Sequence, residues 1–222
     1  MAVFKKGING AFSGTIGSTV GASWREINYM RSLPKPSKKP ATPQQLAQRA
    51  KFALAVSFLR SIKPLLNLGF SDRLQGRQTG YNRALQAMIN RAIAGEYPDF
   101  TVDYAEVVLA QGGLAVPISL AAGQTGPGEV TLTWDPVTNK YTSFADDELV
   151  AVVYNVSKRF MNVYDGTERS AGSMAIQVPV SFAGDELVAW AFMVHRDGEK
   201  TSDSLFAGTV ALAGEPETEP EP

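Results

Sequence analysis

Hydrophobic and polar positions near the N terminus alternate with a period of two. Val20 and Trp24 fall on one side of the pattern over residues 14–30, and the alternation slips in phase before Ile27. Because a period of two is typical of half-buried strands, we predict a small β-hairpin here. Three prolines between residues 32 and 40 then exclude a helix and predict an extended arm that bears lysines.

The period of the apolar positions changes to three and four after this arm. A capping-box sequence that begins at Thr42 marks the start of a helix. We predict this helix over residues 43–67, with a kink or restart at Pro64, and a second helix over residues 80–94 that ends at Gly95.

From Phe100 onward the period returns to two, with turn residues between short apolar runs. The predicted strands cover residues 101–110, 128–134, 148–155, 173–180, 186–195 and 205–212. Short strands at this spacing are typical of an antiparallel β-sandwich.

These patterns predict an α+β protein: an N-terminal β-hairpin with two helices, followed by an antiparallel immunoglobulin-like β-sandwich. We expect a basic N-terminal module over residues 1–98 and the sandwich over residues 99–213. Glu alternates with Pro and Thr over residues 214–222, which predicts a disordered acidic tail.

The net charge of −1 conceals a strong asymmetry between the two ends of the chain. Residues 1–98 hold 15 Lys or Arg against three acids, whereas residues 99–222 hold six basic residues against 19 acids. Such asymmetry indicates a polyanion or an acidic partner for the basic half, or head-to-tail contact between copies. Neutralisation of one half by the other within a single folded unit is the alternative.

Seven basic residues are the candidates for binding a partner or a polyanion. They are Arg25, Arg31, Lys35, Lys38, Lys39, Arg49 and Lys51. Contacts of such residues with phosphate would give affinity without base specificity and a steep dependence on salt. Trp24 and Tyr29 lie close to them in sequence and either pack in the hairpin or stack on bases.

Much catalytic chemistry is excluded by residue type. The chain has no cysteine and one histidine, so thiolate nucleophiles, cysteine zinc sites and two-imidazole sites are absent. Glycines between residues 7 and 21 lack the Gly-Lys-Ser/Thr ending of a phosphate loop. We expect no enzyme, no catalytic residue, no cofactor and no metal, and a small-molecule ligand is not expected.

Two acidic clusters and the single histidine have structural interpretations. Acids at residues 146–148 and 185–186 precede apolar strands without the spacing of a calcium loop, so we interpret them as charged strand flanks that discourage aggregation. His195 falls at the end of a predicted strand, and we expect it on the surface or at a sheet edge.

The longest uncharged stretch, over residues 7–24, is interrupted by glycine, serine and threonine and contains no leucine. It predicts neither a membrane span nor a secretory leader. We expect a protein of the bacterial cytoplasm or of a virion-like particle, in preference to a secreted one.

Several N-terminal motifs resemble those of an uncharacterised family of about 200 residues from Bacteroidota. They are Val20-Gly-Ala-Ser-Trp24-Arg25, Tyr29-Met-Arg31-Ser-Leu-Pro34 and Thr42-Pro-Gln-Gln-Leu46-Ala-Gln-Arg49-Ala-Lys-Phe52. The family has typical runs G-S-S-W-K-G, R-S-x-P and T-x-x-Q-L-A-Q-R, and Arg25-Glu26 here replaces its usual Lys-Gly. The resemblance implies an architecture and a bacterial or phage origin without implying an activity.

A second resemblance concerns the C-terminal half. The run Val130-Thr-Leu-Thr-Trp134-Asp-Pro136 is similar to the second strand of fibronectin type III and related immunoglobulin-like domains. It implies that Val130, Leu132 and Trp134 point into the sandwich.

Three functions remain open at this point. The first is a non-enzymatic structural or assembly protein, a phage or phage-derived particle component that associates through its oppositely charged modules. The second is a nucleic-acid-binding accessory protein that uses the basic half. The third is an adhesion or carbohydrate-binding module, in which an exposed loop over residues 160–164 contacts the ligand.

Overall fold

The computed structural model describes residues 2–4, 12–24, 27–36, 40–71, 78–126 and 128–213. Contacts divide the chain into two compact units, Met1–Thr42 and Pro43–Pro222. This division differs from the boundary predicted at residue 98, because the helices share a core with the C-terminal sheets. The predicted tail at residues 214–222 lies outside the described residues.

The first unit is an antiparallel sheet of four strands in the order β1-β4-β3-β2. The strands are β1 (Ala2–Phe4), β2 (Gly14–Ile16), β3 (Thr19–Trp24) and β4 (Ile27–Ser32). Gly17 has a φ of +56°, a left-handed value that suits the two-residue turn between β2 and β3. The predicted hairpin is confirmed, and the phase slip in the sequence coincides with the change from β3 to β4.

The second unit begins with the helices. They are α1 (Pro43–Leu59), α2 (Lys63–Gly69) and α3 (Gly80–Ala87), with a 3-10 turn at Arg60–Ile62 and a π turn at Met88–Ala92. The restart predicted at Pro64 is confirmed, because proline fits the first turn of α2. The short pair β5 (Ile93–Ala94) and β6 (Thr101–Val102) follows.

Two antiparallel sheets complete the second unit, in the orders β11-β8-β7 and β10-β9-β12-β13. Their strands are β7 (Ile118–Gly126), β8 (Glu129–Asp135), β9 (Glu148–Asn155), β10 (Phe160–Glu168), β11 (Ser173–Gln177), β12 (Glu186–Val194) and β13 (Leu205–Ala211). The predicted sandwich is confirmed, and Val130, Leu132 and Trp134 are buried inside it.

The strand predicted over residues 101–110 is wrong beyond Val102. Asp103 accepts a hydrogen bond from the Ala105 backbone N–H at 3.1 Å and begins the 3-10 turn Tyr104–Glu106. A local side-chain bond of this kind competes with strand pairing. Strands β7 and β10 were not predicted.

Strands β9 and β12 are buried on both faces. One face of β9 holds Leu149 and Val153 in the core between the sheets, and the other holds Val152 and Tyr154 in the core beneath the helices. The second unit therefore has three layers, with the helices on one side of the β10-β9-β12-β13 sheet and the other sheet on its opposite side. Burial on both faces explains why these two strands are almost continuously apolar.

Candidate functional site

The candidate site is the basic helical layer, which we define as the described residues from 43 to 71 and from 78 to 95. Its charged residues are Arg49, Lys51, Arg60, Lys63, Arg83 and Arg91, and it contains no Asp or Glu. All six are exposed or partly exposed. The layer presents positive charge above an acidic sandwich within the same compact unit.

Ion pairs within the described ranges are confined to the sandwich. They are Lys158–Asp185, Arg169–Asp147, His195–Asp197 and Arg196–Asp146. No ion pair among these residues links the helical layer to an acid of the sandwich. Arg49, Arg60 and Arg91 therefore carry exposed charge that no acid of the sandwich pairs directly within the described ranges.

Helix α1 is apolar on more than its core-facing side. Ala55, Phe58 and Leu59 are buried beneath it, yet Leu46 is 38% exposed and Phe52 is 49% exposed. A surface helix normally turns a polar face to solvent, so these two exposed apolar side chains depart from the usual pattern. Because residues along a helix are about 100° apart, Leu46 and Arg49 lie on the side opposite the core.

A shallow depression occurs on this part of α1. It is lined by Gln45, Gln48, Arg49 and Phe52. An exposed aromatic ring beside an arginine is the combination that protein interfaces use most for binding energy. This surface, defined as Leu46, Arg49 and Phe52, is called the α1 patch below.

A second feature of the layer is a polar cavity beside α3, with a volume of about 320 Å³. Its lining includes Arg83, Gln86, Asn90 and Arg91. The π turn at Met88–Ala92 widens the helix where Asn90 and Arg91 face the cavity. Two guanidinium groups with amide side chains suit a ligand that is both anionic and rich in hydrogen-bonding groups.

Four of the seven predicted binding residues fall in the described part of the chain. Arg31 lies exposed at the end of β4, and Lys35 lies exposed in the irregular segment that follows. Arg49 is exposed on α1, as the α1 patch requires. Lys51 is partly buried and places its Nζ 5.0 Å from the centre of the Phe100 ring, so its charge serves an internal contact.

The other three candidates, Arg25, Lys38 and Lys39, lie outside the described residues. Arg31 and Lys35 belong to the first unit, whereas Arg49 and Lys51 belong to the second. On α1 itself, Arg49 and Lys51 point in opposite directions, since two residues correspond to a rotation of about 200°. Arg83 and Arg91 were not among the seven, because only the π turn and the fold bring them to one cavity.

One acidic cluster differs from its predicted role. Asp147, interpreted as an exposed strand flank, is fully buried and pairs with Arg169. Its neighbour Asp146 is partly exposed and receives a hydrogen bond from Arg196 at 2.7 Å. The interpretation as a charged strand flank is therefore wrong for Asp147, because its carboxylate points into the core and pairs there with Arg169.

His195 follows directly after β12 and is partly buried. Its Nδ1 lies 2.8 Å from Asp197 Oδ1, and its ring meets Phe144 edge to face at 5.1 Å. These contacts give the histidine a structural role at the end of the strand.

The segment over residues 160–164 is a strand, not the exposed loop that was predicted. Phe160 to Tyr164 pair with β9 and form the first half of the edge strand β10. Phe160 and Val163 still expose 52% and 40% of their surface. The prediction failed because a turn at residues 156–159 returns the chain directly along β9.

The described ranges contain no group of three or more His, Cys, Asp or Glu side chains placed to hold a metal ion. None of their helices combines the length and the apolar character that a membrane crossing needs.

The C-terminal sheets define a class of fold. Three strands oppose four, in an arrangement similar to fibronectin type III domains. The fn3 domain of human collagen alpha-1(XX) is 13% identical with a TM-score of 0.36, and the match covers 48% of this chain and 94% of that one. The chicken CNTN1 FN1-FN3 domains are 13% identical with a TM-score of 0.39, covering 49% and 37%. The fn3 domain of human contactin 1 is 8% identical with a TM-score of 0.35, covering 58% and 98%.

The chain belongs to the family of unknown function DUF6266, whose model matches residues 11–208. No curated protein matches the sequence. The likeness to fibronectin type III domains concerns the fold alone.

Proposed function

We propose that this protein is a non-enzymatic assembly protein whose basic helical layer docks on the acidic sandwich of a second copy. The observation that carries the proposal is the position of the charges. Arg49, Arg60 and Arg91 of the helical layer share one compact unit with the acids of the sandwich, and none of the three forms an ion pair with those acids among the described residues. Charges displayed in this way favour association between unlike faces of neighbouring copies.

The α1 patch gives the contact a specific anchor. Charge alone would attract any polyanion, but Phe52 and Leu46 add exposed apolar surface on either side of Arg49. Burial of apolar side chains contributes to protein interfaces and contributes little to phosphate contacts. The patch therefore favours a protein partner over nucleic acid.

A contact of this type is heterologous, because a helical face meets a sandwich face. Heterologous contacts build rings or open filaments. This supports a role in a repetitive particle. The family resemblance supports an origin in Bacteroidota as part of this proposal. Analogy of fold supports a phage or phage-derived setting and a location in the cytoplasm or in a virion-like particle.

Nucleic-acid binding is the second candidate, and the cavity beside α3 is the observation that favours it. Arg83 and Arg91 can contact phosphate, and Gln86 and Asn90 can hydrogen-bond to bases. The adhesion hypothesis has less support, because residues 160–164 form an edge strand.

Sedimentation velocity of the full chain distinguishes these functions. We expect oligomers at low salt that dissociate at high salt, since exposed charge pairs are screened by ions. Arg49→Glu is expected to abolish them, and Arg49→Lys, which keeps the positive charge at the same position, is the matched control that leaves them intact.

The same runs include a short DNA duplex. A monomer that sediments faster only with DNA would overturn the assembly proposal in favour of the second candidate. A monomer unaffected by both salt and DNA would overturn both. Oligomers that survive Arg49→Glu would remove the α1 patch from the contact.

A further inference from the structure

A cavity of about 480 Å³ lies between the second half of α1 and the helix-facing side of β9. Three aromatic residues, Phe58, Tyr104 and Tyr154, form its wall, and Arg159 provides the charged group of its lining. The cavity is separate from the α1 patch and from the cavity beside α3, so the proposed function does not use it. Its volume is within the range of small-molecule sites.

The aromatic wall is held in place by the surrounding core. The rings of Phe58 and Tyr154 have centroids 4.9 Å apart, and those of Tyr104 and Tyr154 are 5.8 Å apart. The fully buried Trp190 donates a hydrogen bond from Nε1 to the Tyr104 carbonyl oxygen at 2.9 Å. A wall fixed in this way loses little conformational freedom when a flat ligand packs against it.

Both tyrosines offer hydroxyl donors to the cavity. Neither hydroxyl has a hydrogen-bond partner within the described part of the chain, and neither is fully buried, so both are open to a ligand or to water. Burial raises the pKa of both Tyr104 and Tyr154, so both hydroxyls keep their protons at neutral pH. A bound acceptor atom would replace solvent as their hydrogen-bond partner.

Arg159 is the positive group of the cavity. It lines the same cavity as both tyrosines, and its charge lowers the pKa of each against the larger effect of burial. Its neighbour Lys158 is committed to Asp185 at 2.7 Å, whereas Arg159 forms no ion pair with the described residues. The charge of Glu186 also raises the pKa of Tyr104, but Glu186 does not line the cavity.

The backbone of Arg159 adds a second, independent observation. It has a φ of +53°, in the left-handed region that glycine adopts without cost. A side chain there costs on the order of 1 kcal/mol. The turn between β9 and β10 therefore holds Arg159 in a conformation that glycine adopts more readily.

We propose that this cavity binds a small aromatic acid. Its flat apolar body packs on Phe58 and Tyr154, and its anionic group receives hydrogen bonds from Arg159 and the tyrosine hydroxyls. Charge-assisted hydrogen bonds of this kind are stronger than neutral ones, which makes the anionic group the main determinant of affinity.

Two fluorescent probes test the proposal with the full chain. 8-Anilinonaphthalene-1-sulfonate is an aromatic anion, and N-phenyl-1-naphthylamine has the same ring system without the sulfonate. We expect the wild type to bind the anionic probe about tenfold more tightly than the neutral probe, in keeping with one charge-assisted hydrogen bond. Failure of the anionic probe to bind, or equal affinity for both probes, would overturn the proposal.

Two variants locate the binding. Arg159→Gly removes the cation and suits the left-handed backbone, so the fold is retained, and it should weaken the anionic probe about tenfold without affecting the neutral one. Ser57→Trp, at the exposed side of the lining, should fill the cavity and abolish binding of both. Arg196→Ala is the control at an exposed arginine outside the cavity and should change neither.

Circular dichroism melts of each variant establish that it is folded before titration. Binding of the anionic probe that is unaltered by both Arg159→Gly and Ser57→Trp would place the probe elsewhere and overturn the proposal.

Discussion

Arg169 donates a hydrogen bond from Nε to Asp147 Oδ2 at 3.2 Å, and both side chains are at least 99% buried from solvent. Arg169 also donates from Nη2 to the Ala115 carbonyl at 2.8 Å, and its own carbonyl accepts from Trp134 Nε1 at 2.9 Å. The pair thus ties a 3-10 turn to the loop before β9 and to the sandwich tryptophan.

The loss of Arg169 is expected to destabilise the second unit. Arg169→Met leaves a buried carboxylate without its cation, which should lower the free energy of unfolding by about 3–5 kcal/mol. Urea denaturation followed by circular dichroism measures the change. Asp147→Asn in the same chain removes the uncompensated charge and should recover part of the loss. Arg196→Met, at an exposed pair, is the control and should have little effect.

The close approach of α2 and α3 predicts a sensitive glycine. A Cβ on Gly80 would lie 2.2 Å from the Leu66 carbonyl oxygen, a backbone atom that cannot rotate away. Gly80→Ala should therefore force the two helices apart and cost about 1–3 kcal/mol of stability. Gly123→Ala is the matched control, because no atom lies within 4 Å of its Cβ position. Equal melting temperatures for the two variants would contradict the prediction.

Asp185 predicts a loss of stability in acid. Its carboxylate accepts hydrogen bonds from Lys158 Nζ and Asn155 Nδ2, each at 2.7 Å, and these contacts lower the pKa of Asp185 below its usual value. Because the pKa of Asp185 is lower in the folded chain than in the unfolded chain, its carboxylate stabilises the fold at pH values above the pKa of the unfolded chain. This stabilisation is lost as the pH falls through the pKa of the folded chain.

Asp185→Asn should accordingly be less stable than the wild type at pH 7, and the difference should shrink in strong acid. Urea midpoints from pH 7 down to pH 2.5 measure it, a range chosen to cross the ordinary pKa of about 4 for an aspartate. Asp165→Asn, at an exposed acid of β10, serves for comparison and should cost little stability at pH 7. A constant difference at every pH would contradict the assignment.

Three tyrosines with a raised pKa predict the opposite behaviour in alkali. Burial raises the pKa of Tyr104, Tyr154 and Tyr164, so the folded state resists ionisation of these phenols. Their contribution to the free energy of unfolding is constant below pH 10, which is about the ordinary pKa of tyrosine. The free energy of unfolding falls as the pH rises above that value.

A spectrophotometric titration of phenolate absorbance should therefore show a late phase among the seven tyrosines. Tyr154→Phe should reduce the amplitude of that phase and lessen the alkaline loss of stability. Tyr141→Phe, at a ring that is 86% exposed, should leave the late phase unchanged. A late phase that persists undiminished in Tyr154→Phe would contradict the attribution to this residue.

Local signals in the sequence were sufficient for most elements. The start of α1 at Pro43, the restart at Pro64 and the strands β8, β9, β11, β12 and β13 follow from caps, proline geometry and alternation, each of which acts over a few residues. Strand β7 escaped prediction because its small and polar residues, from Ala121 to Gly126, lack the alternation of a half-buried strand. The continuous apolar runs of β9 and β12 indicated burial but not what covers each face.

The candidate site was predicted less completely than the fold. Charge counting named the basic half and Arg49 as candidates, but the α1 patch depends on which side of α1 the core occupies. Charge counting also named Lys51, whose Nζ lies 5.0 Å from the centre of the Phe100 ring, and binding by either residue stays a prediction.

What the sequence determined by itself is the set of elements, their order and the separation of charge, because caps, turn residues and periodicity are local properties. Only the tertiary structure decided that the helices cover the outer face of the β10-β9-β12-β13 sheet, that Asp147 meets Arg169 inside, and that Arg159, Tyr104 and Tyr154 line one cavity. Each of these joins residues far apart in the chain, and such contacts follow from how the layers pack, which no local pattern encodes.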